Sequence, residues 1–233
     1  MNKTVIIDHR ISEKAINTLE CLGYSIIKFP SIPNFAEPIS SHPDIFIAKI
    51  KDKLFADNRI EDLFTFCDKT VYCNREGDNT VIIEYPYDIS FNCINVGKKI
   101  ICNKKYTNKA ILNFAETNHI DIIDVKQGYA KCSICEVSDN AIITEDSGIA
   151  EAALNSKIDV LKIEKGFIKL NGYDYGFIGG CSGLLNNSLL AFNGCIELHP
   201  QYSSIKQFCG KHNVEIVSLS DEPLYDIGSI IVY

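Results

Sequence analysis

The sequence predicts an α/β protein built as a closed, radially repeated ring of five pseudo-symmetric ββαβ units in a single domain, residues 1–233. Two observations carry this. A strand, a helix, a second strand and a short third strand recur from end to end, roughly 42–50 residues apart, and a period of that size marks a repeat architecture. The third strand is the clearest trace, opening at Pro43-Asp-Ile-Phe, Tyr87-Asp-Ile-Ser, Tyr129-Ala-Lys-Cys, Tyr175-Gly-Phe-Ile and Tyr225-Asp-Ile-Gly. The joins between units, such as Ser138-Asp-Asn140 and Asn186-Asn187, are polar turns between strand-like runs, so each third strand pairs with the first strand of the next unit. A doubly wound sheet would need a Gly-rich phosphate loop after a first strand, and none is present.

Unit one opens with the apolar strand Thr4–Asp8. Ser12 caps a helix that carries Ala15, Ile16, Leu19 and Leu22 at helical spacing and ends at Gly23. Tyr24–Phe29 and Asp44–Ile50 are its further strands, separated by a Pro-rich loop. Unit two has Leu54-Phe-Ala, a helix over Ile60–Cys67, strands at Thr70–Cys73 and Thr80–Tyr85 around a turn at Gly77-Asp-Asn, and Tyr87–Asn95. Unit three has Lys99–Cys102, a helix capped by Thr107, Asp121–Val125 and Tyr129–Val137. Unit four has Ala141–Thr144, a helix Gly148–Asn155 capped by Ser147, Ile158–Ile163 and Tyr175–Leu185. Unit five has Ser188–Phe192, the helix Tyr202–His212, Val214–Leu219 and Tyr225–Tyr233.

The hydrophobic fraction of 46% suffices for a sizeable core, and the net charge of -7 with a pI near 5.3 excludes nucleic acid as a main partner. Lys98-Lys99 and Lys104-Lys105 are too short to form a phosphate-binding stripe. No window approaches 18 consecutive apolar residues, so no membrane partner is expected. The residues after Met1 lack the features of a signal peptide, which predicts a cytoplasmic location. The ten cysteines then read as reduced thiols, mostly small buried hydrophobes. No cofactor and no metal is expected: Cys132-Ser-Ile-Cys135 lies in a strand-like run, and the five histidines share no ligand spacing. Cys93, Cys135 and Cys181 fall at one offset in their units, which predicts a thiol-rich packing layer.

Aligning the third strands on Pro43, Tyr87, Tyr129, Tyr175 and Tyr225 puts Asp44, Asp88, Ala130, Gly176 and Asp226 on one face. Phe46, Ser90, Cys132, Ile178 and Gly228 follow, then Ala48, Asn92, Ile134, Gly180 and Ile230. This is the smaller and more polar face, and it is placed around the axis. Asp44, Asp88 and Asp226 then converge at one rim, where mutually repelling carboxylates would hold a cation, a planar guanidinium or an amine. The bland reading of each Asp is a turn residue accepting backbone N–H bonds. Cys132 is the thiol aimed at the hub. Lys131 points the other way and no His shares its strand, so a small buried core residue is its bland reading. Glycines at Gly179-Gly180 permit close packing or a bulge. His42 and His199 stand where a loop reaches the rim.

The layout as a whole, and above all Tyr129 to Tyr233, resembles the pentein superfamily, the α/β-propeller of the guanidino-group-modifying enzymes: arginine deiminase, dimethylarginine dimethylaminohydrolase and the amidinotransferases. The stretches Tyr129–Thr144, Gly172–Gly194 and Ser218–Tyr233 are similar to a clostridial-type branch of it. The resemblance implies a Cys nucleophile on the last inner strand and a His on the unit-four strand. Here those positions hold Gly228-Ser229-Ile230 and Phe177-Ile178-Gly179-Gly180, and the third unit opens Gln127-Gly-Tyr in place of a Gly-Gly-Asp-like motif. Two readings stay open. One is a central acidic pocket for a small cationic ligand, built from Asp44, Asp88, Asp226, Ser90, Asn92, Gly180, Gly228 and Ser229. If it is an enzyme, its activity is that of a guanidino-modifying hydrolase or amidinotransferase, with Cys132 as nucleophile and a His from outside the strands as base. The other is a non-catalytic binding or interaction module on the same scaffold.

Overall fold

A computed structural model describes residues 3–63, 69–75 and 83–233. Five three-stranded sheets are arranged as blades. Blade one contains β1 (Thr4–Asp8), the helix α1 (Glu13–Cys21) and β2 (Ser25–Phe29). A single helical turn, α2 (Pro43–Phe46), then leads into β3 (Ile47–Ile50), the inner strand of the next sheet, which continues through β4 (Lys53–Asp57) and β5 (Thr70–Cys73). The third sheet is β6 (Ile94–Val96), β7 (Lys99–Cys102), α3 (Lys109–Thr117) and β8 (Asp121–Asp124). The fourth is β9 (Ile134–Ser138), β10 (Ala141–Thr144), α4 (Ser147–Asn155) and β11 (Asp159–Lys162). The fifth is β12 (Ser182–Asn186), β13 (Leu189–Phe192), α5 (Tyr202–Lys211) and β14 (Glu215–Ser218). Finally β15 (Ile231–Val232) returns to pair antiparallel with β1 and closes the ring.

Every sheet repeats one rule. The middle strand runs antiparallel to the inner strand, across a short hairpin in four sheets and against the distant β15 in the first, and parallel to the outer strand across the crossover. A parallel connection needs such a crossover, and a helix laid on the sheet buries its apolar stripe there. In α1 that stripe is Ala15, Ile16 and Leu19. Ser12 accepts the Ala15 N–H as the sequence suggests, whereas Asn108 and Asp146 cap the next two helices in place of Thr107 and Ser147. The hairpins at Ser138-Asp-Asn140 and Asn186-Asn187 are formed, each beside a register shift.

The inner strands start later than the sequence pattern predicts. Pro43–Phe46 is helical and Tyr87–Ile89 is a 3-10 turn, and Tyr129–Ser133 is likewise turn or irregular backbone before β9. Strict two-residue alternation therefore does not run through these segments. In unit two the expected helix begins as a 3-10 segment, Asn58–Leu63; its remainder, the turn at Gly77 and residues 80–82 of the expected strand Thr80–Tyr85 lie outside the described residues, and residues 83–85 are irregular backbone and turn in place of strand. Cys135 and Cys181 share one core cluster while Cys93 packs in another, so the three do not form a common layer. The described cysteines are all free thiols. Among the described residues no helix is long and apolar enough to cross a membrane.

Candidate functional site

The pre-strand turns meet around the axis in a closed ring of hydrogen bonds. Gly180 N donates to Cys132 O, Ser229 N to Gly180 O, and Asp44 N to Gly228 O. Asn92 Nδ2 donates to Asp44 O at 3.2 Å, and Lys131 N donates to Asn92 Oδ1 at 2.8 Å, which returns the circuit to its start. Each unit thus donates to the one before it. Unit two contributes a side chain where the others contribute backbone, because Asn92 carries both a donor and an acceptor on one amide.

Four buried side chains interlock inside this ring. Asn92 Nδ2 also donates to Cys132 Sγ at 3.1 Å, and that thiol donates to Asp44 Oδ2 at 3.1 Å. The same Asp44 oxygen accepts from Ser229 Oγ at 2.6 Å, whose oxygen in turn accepts from Lys131 Nζ at 3.0 Å. Burial, with Asp44 and Asp226 adding negative charge nearby, pushes the Cys132 thiol well above its ordinary range. Cys132 is therefore a protonated thiol here, a donor and not a resting nucleophile.

Beside it lies a cavity of about 260 Å³ whose lining includes Cys132, His42, Asp226, Asp174, Tyr129 and Tyr173. Asp226 is 1% exposed. Its carboxylate accepts the Gly228 N–H at 3.0 Å and the Phe177 N–H at 2.9 Å. Burial raises its pKa; His42 opposes this and Asp44 reinforces it. The glycines here make room: a Cβ on Gly180 would be driven into the Asp226 carboxylate, and one on Gly228 into His42. His42 Nδ1 lies 3.8 Å from Asp226 Oδ1 and Nε2 lies 3.9 Å from Asp8 Oδ2, and the Nε2 atom is buried without a hydrogen-bond partner.

A second cavity, about 490 Å³, shares Ile39, Tyr129 and Tyr173 with the first and is lined by Asp88, Glu84 and Tyr85. Tyr129 Oη donates to Asp88 Oδ2 at 2.5 Å, while Asp88 Oδ1 is buried without a partner. Burial pushes Asp88 upward against that bond and the Arg75 charge. Arg75, itself buried, is spent on structure: it pairs with Asp57 and donates to the carbonyls of Asp88, Tyr87 and Ile45.

Asp44, Asp226, Cys132, Asn92, Gly180, Gly228 and Ser229 are thus brought together at the axis. Asp88 is not at the same rim but one cavity away, behind Tyr129, because its turn bends before the strand begins. Asp44 is fully buried and lies behind Cys132, outside the cavity lining. Ser90 is a turn residue whose hydroxyl donates to Tyr87 O. His199 lies elsewhere, accepting from Gln201 N. Sequence reasoning missed Tyr129, Tyr173 and Asp174 as lining residues, and the Asn171-Gly-Tyr-Asp-Tyr175 run was the available turn signal. It also missed Glu145, which accepts from Ile178 N at 2.8 Å and is raised by burial to about 8.

The model of a family of unknown function, DUF6873, matches residues 6–231. None of the curated proteins matches the sequence. Among solved structures, the chain is similar to a dimethylarginine dimethylaminohydrolase from Pseudomonas aeruginosa, complexed with citrulline. The TM-score is 0.57 at 8% identity, covering 95% of this chain and 93% of that one. It is also similar to an amidinotransferase of saxitoxin biosynthesis from Microseira wollei (TM-score 0.55, 10% identity, 94% and 88% covered). An agmatine deiminase from C. jejuni aligns with a TM-score of 0.52 at 9% identity, covering 94% and 88%. The five-bladed α/β-propeller is therefore the pentein fold, as the sequence resemblance implied.

Proposed function

From the premise that the chain belongs to the DUF6873 family and carries the pentein fold, we propose that it binds a small organic cation, a guanidino or amine compound, in the two adjoining cavities around Tyr129. The lining of these cavities supports the reading. It offers Asp226, Asp174, Asp88 and Glu84 with the rings of Tyr85, Tyr129, Tyr173, Tyr175 and Phe177, and no lysine or arginine among the described residues. Carboxylates and aromatic faces both attract a cation. The unpartnered Asp88 Oδ1 awaits a donor. A ligand that also bears a carboxylate finds no lysine or arginine there, so agmatine-like ligands are favoured over arginine-like ones. The test is thermal shift. Agmatine should raise the Tm and arginine should raise it less, because a ligand bound only to the folded state stabilises it; no shift with any guanidino or amine compound overturns the reading.

One observation favours a catalytic second reading: the Cys132 thiol lines the first cavity beside the Asp44 and Asp226 carboxylates. A bound cation would favour the thiolate, with Asp44 accepting its proton. Alkylation of Cys132 near neutral pH should then accelerate at least tenfold on adding agmatine. An unchanged or slower rate leaves the protein a binder without a nucleophile.

A further inference from the structure

The axis has a second mouth, where the inner strands end. A cavity of about 640 Å³ opens there, lined by Lys3, Lys49, Lys51, Lys98 and Lys131, with Glu136 and Asp139 as the acidic members. Five lysines against two acidic side chains make a positive basin in a chain whose net charge is -7. Lys3, Lys51 and Lys98 form no ion pair among the described residues. Lys49 Nζ donates to Val232 O at 2.6 Å, and Lys131 Nζ to Ser229 Oγ at 3.0 Å, so these two are fixed on the channel wall by neutral acceptors. Burial lowers the Lys49 pKa, and Lys3 lowers it further against the opposing pull of Glu136. Like charges are thus gathered in a recess whose acidic side chains are outnumbered by its lysines. Burial also raises Glu136 to about 7, so near neutrality it cancels only part of the positive charge.

We propose that this mouth is a binding site for a compact polyanion carrying clustered phosphate or carboxylate groups. The recess has the volume of a small-molecule site. An extended nucleic-acid backbone would instead meet the acidic remainder of the surface. Lysines act here as point charges at several angles around one basin, which suits a multiply charged anion over a flat monoanion. The proposal rests on geometry separate from the cation cavities, so either can fail alone.

The experiment is titration calorimetry with inorganic tripolyphosphate and, separately, citrate, on the wild type and on the Lys51→Gln/Lys98→Gln double variant. Both lysines are exposed, so the fold is retained and an unchanged Tm checks this. The expected result is saturable one-to-one binding of at least one probe that weakens about tenfold or more in the double variant, weakens with added salt, and is unchanged in Asp88→Asn. The tighter probe identifies the anion class. No saturable binding of either probe, or equal affinity in the double variant, overturns the proposal.

Discussion

At one end of the propeller axis the inner strands begin, and at the other they end; the same five strands supply both mouths, yet the charges are opposite. The beginning of each strand follows a long return from the blade edge, through a turn packed into the core. Asp44, Asp226 and Cys132 arrive on such turns and are buried. The ends of β3, β6, β9 and β12 enter tight hairpins at the surface. Lys51 and Gly97-Lys98 occupy two of these hairpins, with left-handed φ of 53° at Lys51 and 58° at Gly97. At Gly97 a Cβ would strike the Asp139 carbonyl. Burial makes the first mouth a place of hydrogen-bonded acids, whereas exposure lets the second hold ammonium groups without ion-pair partners among the described residues. Lys131 Nζ, Ser229 Oγ and Asp44 Oδ2 run between them as one hydrogen-bonded line.

The largest test breaks the comparison altogether. Asn92→Ala should remove the only side-chain link in the axial circuit, leaving the Lys131 N–H and the Asp44 carbonyl unpaired in the core. The expected loss is about 3 kcal/mol, from ~1–3 kcal/mol for each stranded buried group. Chemical denaturation would show this as a lower midpoint at unchanged slope, and a loss within about 0.5 kcal/mol would mean that the circuit does not hold the blades.

Next in size is pH. Each mouth carries a half-buried carboxyl pushed up by desolvation, Glu145 to about 8 near Asp226 and Glu136 to about 7 in the channel. Unfolded glutamates titrate near ~4.3. The folded chain holds these protons more tightly, so the stability they contribute is complete below that range and is lost as pH rises through 7 and 8. The Tm should therefore climb by roughly 3 °C or more between pH 8.5 and 6, given a few degrees per kcal/mol at this size. Glu145→Gln should flatten the upper part of that slope and Glu136→Gln the lower part. A Tm that falls over this interval in the wild type contradicts both assignments.

A smaller effect sharpens the contrast. Asp88→Asn should weaken agmatine about tenfold, ~1.4 kcal/mol, as read by the concentration dependence of its thermal shift, and leave the lysine mouth untouched. The smallest is Lys98→Gln, whose stability should match the wild type within about 0.5 kcal/mol by denaturant titration. A larger loss would make that lysine part of the scaffold and not of a site.

Much of the ring could be read from residues alone. The Ser12 cap and the Asn186-Asn187 turn each report a local preference that the fold keeps, and the recurring Tyr-Asp-Ile strings mark the repeat though not its strands. The failures have one physical source. The hub positions were aligned as strand, but Pro43 and the Tyr87–Ile89 turn bend the chain first, and a bend rotates every later side chain. Hence Asp88 went to a different cavity from Asp226, and Asp44 sank behind Cys132. Alternation predicts Lys131 pointing away from the thiol, but the backbone there is a turn, and the Lys131 ammonium ends on Ser229 Oγ, which shares the Asp44 Oδ2 acceptor with Cys132. The lysine basin was invisible for a related reason: its members are scattered singly over the sequence and gathered only by hairpins at one height.

The ring is fastened where β15 lies against β1 over two residue pairs, Val5 with Val232 and Ile6 with Ile231. That seam is the shortest strand pairing among the described residues, and it sits between the two mouths. Ser229 and Asp226 lie just ahead of it, and the Val232 carbonyl that anchors Lys49 lies within it. Fraying of this stitch would loosen both mouths in the same event, so the buckle that completes the circle is also a common point of release.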